Sequence, residues 1–270
     1  GFAQVTFTDS TGAVIDADIV VIAEGLRSRS RRFVTPSDVN DLGMHFAYVT
    51  IPRRDTDDQW WNWQHASNSR TVHLRPDNLG TTRAILTFIS EVRGLEDLGT
   101  ADQISILRRT FADVGGIAPR VLAELDDDAP LYFSSVGQVR AGRWSKGRVT
   151  LLGDAAFCAA TFGGGGTSLA LIEAYVLAGE LSRTDDHPAA FARFERFMRP
   201  IIDATPPVRM SVLRRANPRT RVGIRALHTG ARLFASPAGQ AAMNFLGRRL
   251  VNVAADDLAL PDYPSVDTVR

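Results

Sequence analysis

A chain of 270 residues with 44% hydrophobic, 8% aromatic and 23% charged residues has the balance of a globular protein with a core, which excludes disordered and fibrous classes. With 31 basic against 30 acidic residues the formal charge is +1, which names no polyanionic partner, and the length allows one large domain or two interleaved ones. The longest apolar stretches, residues 17–23 and those around Leu151 and Ala170, fall short of the ~18 residues of a membrane span.

The chain opens as a hairpin, with strand residues 5–8, a turn over 9–12 and a return over 13–15. Residues 17–23 follow as a short β-branched run without polar alternation, the mark of a buried parallel strand. Glu24-Gly25 ends it, and an arginine-rich segment, residues 27–32, leads to Pro36. Successive strands are then expected over 45–51, 59–66, 71–74 and 83–89, with short turns that imply an antiparallel sheet. Helices over 101–114 and 119–125 precede a strand over 131–139.

A second buried-strand signature covers 148–152 and stops at Gly153-Asp154. After a loop of small residues, 167–181 carries apolar residues at helical spacing. Further helices are expected over 188–198, 206–215, 219–234 and 237–253, and residues 256–270 read as loop. The two buried strands, 19–23 and 149–152, are expected in one sheet with the intervening block inserted between them; three consecutive small domains are the alternative.

Cys158 is the one cysteine and has no internal disulfide partner. His45, His65, His73, His187 and His228 show no HxxxH or HExxH spacing, and no CxxC accompanies them, so no metal is expected. A single thiol suits a reducing cytoplasm, and residues 1–5 lack the basic and apolar regions of a signal peptide.

The strongest local signal is the order strand, Gly153-Asp154, small-residue loop, Gly163-Gly164-Gly165-Gly166, helix. Four glycines remove every Cβ and permit positive φ, so backbone amides approach a ligand closely. The helix start adds unpaired N–H groups and partial positive charge, which suits an anion or an electron-rich heterocycle. Asp154, at the carboxyl end of a strand, sits where open α/β sheets bind ligands. A flexible turn with a capping aspartate is the plain alternative; the full order of elements favours a ligand site. The lysine of a phosphate P-loop is absent.

Residues 148–156, Arg-Val-Thr-Leu-Leu-Gly-Asp-Ala-Ala, together with Phe162-Gly163-Gly164-Gly165-Gly166, resemble the second flavin motif of class A FAD-dependent monooxygenases. These are the p-hydroxybenzoate hydroxylase-like aromatic hydroxylases, among them the tetracycline-inactivating monooxygenases. Residues 18–31 are similar to that family's strand ending in Asp-Gly with an arginine- and serine-containing stretch, and the likeness extends over essentially the whole chain. The resemblance implies an α/β fold: a partial Rossmann-type FAD-binding domain, an inserted antiparallel-sheet substrate domain and a C-terminal helical region. The expected divisions are 1–35 and 141–203 for the FAD-binding parts, 36–140 for the substrate sheet and 204–270 for the helical region.

The same resemblance implies FAD as cofactor, NAD(P)H as co-substrate and hydroxylation of an aromatic or polyketide-like small molecule by O2. Asp154 would bind the ribityl chain, with Gly153 and Ala155 beside it. Phe162, Gly163, Gly164, Gly165, Gly166, Thr167 and Ser168 would lie along the flavin's pyrimidine edge, where a helix N-terminus stabilises developing negative charge. Glu24, Gly25 and Arg27 would serve FAD and NAD(P)H. No catalytic acid or base is named. A flavin oxidoreductase that does not hydroxylate, and a catalytically dead binding protein on the same fold, are the alternatives.

The sequence departs from the family pattern at Glu24 for aspartate, Phe157 for histidine and Thr161 for proline, and it contains no GxGxxG. The family opens with that motif, so the chain is expected to be the C-terminal part of a longer protein, with an N-terminal ADP-binding segment as its missing partner and poor FAD binding and no activity on its own. In the middle block Trp61, Trp63 and His65 share one face of a strand and are candidate contacts for a planar substrate, against the simpler role of covering the sheet. Between Phe191 and Leu250 twelve arginines face only Glu195 and Asp203. A solvated helical surface, or one pairing with the absent segment, is expected there, and neither nucleic acid nor membrane is an expected partner.

Overall fold

A computed structural model of the chain describes residues 3–6, 14–126, 130–160, 165–237 and 259–263. In chain order the strands β1 (Ala3–Thr6), β2 (Val14–Ala17) and β3 (Val20–Ile22) come first, then β4 (Asn40–Pro52), β5 (Asn62–Ala66), β6 (Arg70–Pro76) and β7 (Thr81–Ile89). Helices α1 (Thr100–Phe111) and α2 (Ala118–Ala123) precede β8 (Leu131–Arg140), β9 (Ser145–Lys146), β10 (Val149–Leu151) and β11 (Phe157–Cys158). Helices α3 (Gly166–Ser182), α4 (His187–Asp203), α5 (Met210–Ala216) and α6 (Arg221–Ala235) complete the described chain. The expected helix over 237–253 and the turn over 9–12 lie outside the described residues, apart from Pro237. No described helix is long and apolar enough to cross a membrane.

The chain forms two compact units, one of residues 1–40, 137–208 and 255–270, the other of 41–136 and 209–254. In the first, β1 and β2 make the antiparallel hairpin the sequence predicts. The two buried-strand signatures pair directly: β3 and β10 run parallel, with Val20 opposite Val149 and Ile22 opposite Leu151. These strands lie 129 positions apart in sequence at that first pair, so the intervening block is an excursion from one sheet, as expected. β9 adds an antiparallel edge to β10, and β11 pairs with Val139 and Arg140 at the end of β8.

The core of this unit explains its helices. In α4, Phe191, Phe194, Met198 and Ile202 recur at helical spacing and are buried with Val176 and Leu177 of α3, Leu151 of β10 and Trp144. Asp186 caps α4 by accepting a hydrogen bond from the Ala189 amide at 3.0 Å, and Pro188 sits in its first turn.

In the second unit β4, β7, β6 and β5 pair antiparallel in that order, with β8 on the other side of β4. Alternate residues, Ala47, Val49 and Ile51 of β4, Val72 and Leu74 of β6, and Ala84, Leu86 and Phe88 of β7, bury one face against Ile104, Leu107 and Phe111 of α1 and Val121 of α2. β5 is shorter than the expected strand over 59–66. The Asp58 carboxylate accepts from the Trp60 amide at 2.8 Å and the Asn62 side chain at 2.9 Å, a local turn that competes with the ladder until Asn62. Likewise α5 begins at Met210 rather than 206, beyond the helix-breaking Pro206-Pro207.

Leu107 is completely buried between α1 and the sheet. Its truncation in Leu107→Ala is expected to cost about 2–5 kcal/mol, read from urea unfolding midpoints at unchanged slope.

Candidate functional site

The site in the first unit grows from the carboxyl ends of β3 and β10. Their ladder continues one step past β10, where the Leu152 amide donates to the Ile22 carbonyl at 3.0 Å. Both chains then leave the same edge of the sheet, and Gly153 turns at φ +59°, a conformation that favours glycine. One 3-10 turn, Gly153–Ala155, follows and leaves Asp154 exposed. Even so, its surroundings strip enough water to push the Asp154 carboxyl above the ordinary range, partly offset by a hydrogen bond with the Cys158 thiol. Cys158 is buried, and burial first, with the negative charge of Asp154 second, pushes its thiol up to about 12, which makes it a poor nucleophile.

Glycines continue the site on its other side. Gly165 and Gly166 open α3 without a side-chain cap, and Thr167 and Ser168 in its first turn are exposed. A Cβ on Gly166 would lie 4.0 Å from Oδ1 of Asp154, so the helix start and the carboxylate are neighbours. Phe162, Gly163 and Gly164, with Thr161, lie outside the described residues. Phe157, which stands where the family has histidine, is buried with the Arg140 guanidinium 5.0 Å over its ring.

Beyond β3, Glu24 spends its carboxylate locally. It accepts from the Ser28 hydroxyl at 2.7 Å and from the Ser30 amide and hydroxyl at 2.9 and 2.7 Å, and these bonds, Ser30's first, hold it below the usual range. Gly25 has φ +77° and open space where a Cβ would stand, and Arg27 is exposed.

Two residues that sequence reasoning missed organise this edge. Arg31 is buried, and its guanidinium donates to the Ala155 carbonyl at 2.7 Å, the Leu26 carbonyl at 2.6 Å and the Gly25 carbonyl at 3.3 Å. It thereby ties the loop after β3 to the loop after β10 and occupies the carbonyl of Ala155, whose side chain is buried. Glu173 of α3 reaches back to accept from the Gly153 amide at 2.6 Å. In the sequence Arg31 enters only as part of the arginine-rich segment 27–32 and Glu173 only as part of the helix over 167–181; a charge among apolar residues is the available signal for the second.

In the second unit Trp61, Trp63 and His65 do share a face at the edge strand β5. Both tryptophans are about half exposed, with ring centroids 5.0 Å apart. Trp63 lies 4.1 Å from His73, and the Arg75 guanidinium stands 5.8 Å over Trp61. His65 is engaged on both nitrogens, by the Ala216 carbonyl and by His228, each at 3.1 Å. On the opposite face Trp60 and Asn62 line a separate cavity of about 330 Å³ with Asp57 and Arg120. His73, which was not singled out, is buried in the aromatic row and shares a hydrogen bond with Thr71 at 2.7 Å. Among the described residues no cluster of three metal-ligating side chains occurs.

Burial pushes His73 down to about 4, with His65 adding to the effect. An unfolded imidazole takes its proton near pH 6.5, so between about 6.5 and 4 the unfolded chain binds more protons and stability falls as pH drops. His73→Gln is expected to flatten that loss by up to ~1.4 kcal/mol per pH unit, measured as the difference between wild-type and variant urea unfolding across this window. Arg31→Ala, which leaves three carbonyls without their donor, is expected to cost about 2–4 kcal/mol in the same assay.

Comparison with known proteins agrees with this geometry. The FAD binding domain family matches residues 3–189. The flavin-dependent monooxygenase eupH of Phoma sp is 33% identical over 276 residues, covering 94% of this chain and 64% of its own. A flavin-dependent monooxygenase of Legionella longbeachae is 30% identical over 211 residues, 74% of this chain and 53% of its own. Among solved structures, tetracycline destructase Tet(51) superposes with a TM-score of 0.72 at 27% identity, over 97% of this chain and 67% of that one. Klebsiella pneumoniae HpxO complexed with FAD and uric acid shares the fold, with a TM-score of 0.64 at 19% identity over 86% of this chain and 59% of that one. The chain spans about half the length of the first curated relatives it matches.

Proposed function

The chain belongs to the FAD binding domain family of flavin-dependent monooxygenases, and from that premise we propose that its protein uses FAD, NAD(P)H and O2 to hydroxylate an aromatic or polyketide-like small molecule. The observation that carries the reading is the meeting of an exposed carboxylate, Asp154, with the uncapped glycine start of α3 at the ends of two parallel strands.

The donor set fits FAD. Asp154 accepts hydrogen bonds from the hydroxyls of the ribityl chain, a role its exposure permits. Gly165 and Gly166 carry no Cβ that would hold a planar ring away, and the amides of the first turn of α3, with Thr167 and Ser168, offer donors to the pyrimidine edge. The helix dipole favours negative charge there. Glu24, tied to Ser28 and Ser30, keeps the loop after β3 in one shape, and Gly25, with open space where a Cβ would stand, and the exposed Arg27 would meet FAD or NAD(P)H there. FAD, when bound, supplies the hydride and oxygen chemistry.

For the substrate, the half-exposed row of Trp61 and Trp63 with His65 offers a face on which a planar ring stacks. HpxO complexed with FAD and uric acid shows a related fold with a flat heterocycle bound. An unreactive single thiol suits a reducing compartment such as the cytoplasm.

The natural-length protein is expected to show the visible absorption of bound flavin after loading with FAD, and to oxidise NAD(P)H faster in the presence of an aromatic substrate. Asp154→Ala removes charge-assisted hydrogen bonds worth ~1.5–3 kcal/mol and is expected to weaken FAD about ten- to a hundredfold, followed by quenching of FAD fluorescence. A natural-length protein that takes up no FAD would overturn the reading.

A further inference from the structure

We propose that Glu173 is a positioning residue for the flavin: from within α3 it fixes the Gly153 amide, and through it the aim of the Asp154 carboxylate, and it does so in its neutral form. This rests on the reading of Asp154 as a flavin ligand.

The geometry is specific. The Glu173 side chain is 1% exposed. Its Oε2 accepts from the Gly153 amide at 2.6 Å, across the turn whose next residue is Asp154. Its Oε1 is buried and has no hydrogen-bond partner among the described residues. Among the described residues no cation answers the group. Arg31, from the loop after β3, is committed to three carbonyls. On α4, which packs against α3, Arg193 pairs with Glu180 and Arg199 with Glu195, while Arg196 is exposed. β3 itself contributes only apolar residues. Among the described residues the charged group that acts on Glu173 is Asp154, and it has the same sign.

A buried, unpaired carboxylate beside a second carboxylate is costly, and the group relieves the cost by keeping its proton. Burial first, and Asp154 after it, push Glu173 up to about 7 against the opposing Gly153 hydrogen bond. One carbonyl oxygen is all the Gly153 amide needs, so the neutral carboxyl holds the turn fully. Ionised, it sets a second negative charge against Asp154. A flavin covering this edge removes more water from the pair and favours the neutral form. Binding above about pH 7 therefore takes up a proton, and affinity falls as pH rises.

The test is FAD binding by the natural-length protein, followed by quenching of flavin fluorescence from about pH 6 to about pH 9, with thermal unfolding as the check on folding. Wild-type affinity is expected to weaken above about pH 7 with a slope approaching tenfold per pH unit, the limit for one linked proton. Glu173→Gln keeps the acceptor and cannot ionise. It is expected to bind within about threefold of wild type at the acid end and to lose the pH slope. Glu173→Leu leaves the Gly153 amide without its acceptor and is expected to bind at least ~tenfold more weakly at every pH. A Gln variant that retains the wild-type slope, or a folded Leu variant that binds as wild type does, overturns the proposal while Asp154 keeps its role. Absence of FAD binding by wild type at the acid end removes both. If the Leu variant does not fold, the Gln variant decides alone.

Discussion

The guanidinium of Arg31 is the interaction on which the rest of the site depends. Two strands more than a hundred positions apart form a three-residue parallel ladder, too short to fix the loops that leave it. Arg31 closes that gap by donating to carbonyls on both loops from a buried position. A buried charge is stable only when its hydrogen bonds are satisfied, so the cation and the loop geometry hold each other in place. Because the acceptors are main-chain carbonyls rather than carboxylates, the clamp leaves every nearby acidic group to other work.

That division of labour shows in the three carboxyls around the edge. Glu24 is surrounded by hydroxyl and amide donors and stays readily ionised. Asp154 and Glu173 sit in a drier setting, and burial shifts both the opposite way. The same residue chemistry thus gives a structural anion on one loop and a proton-retaining pair on the other, and the difference lies first in burial and then in the number of donors supplied.

Much of this was legible in the residues. β-branched runs ending at Glu24-Gly25 and Gly153-Asp154 marked the parallel strands, and the apolar spacing over 167–181 marked α3, because strand and helix periodicities are local properties. Pairing of β3 with β10 followed from their shared lack of polar alternation. Arg31, Glu173 and His73 were not legible, because what distinguishes each is a partner far along the chain: Ala155 for Arg31, Gly153 for Glu173, Trp63 for His73. Spacing carries no record of such encounters. The length of β5 escaped for a smaller reason, a single aspartate side chain competing with the ladder for the Trp60 amide.

The tryptophans have a spectroscopic consequence. Of the four, Trp60, Trp61 and Trp63 cluster on an open edge of the second unit, whereas Trp144 is sealed in the core of the first with Phe194 at 5.5 Å. Emission from the exposed group is expected at longer wavelength and within reach of iodide, and emission from Trp144 at shorter wavelength and shielded from it. Without any added label, the protein's own fluorescence thus gives each unit a separate colour by which its unfolding is followed.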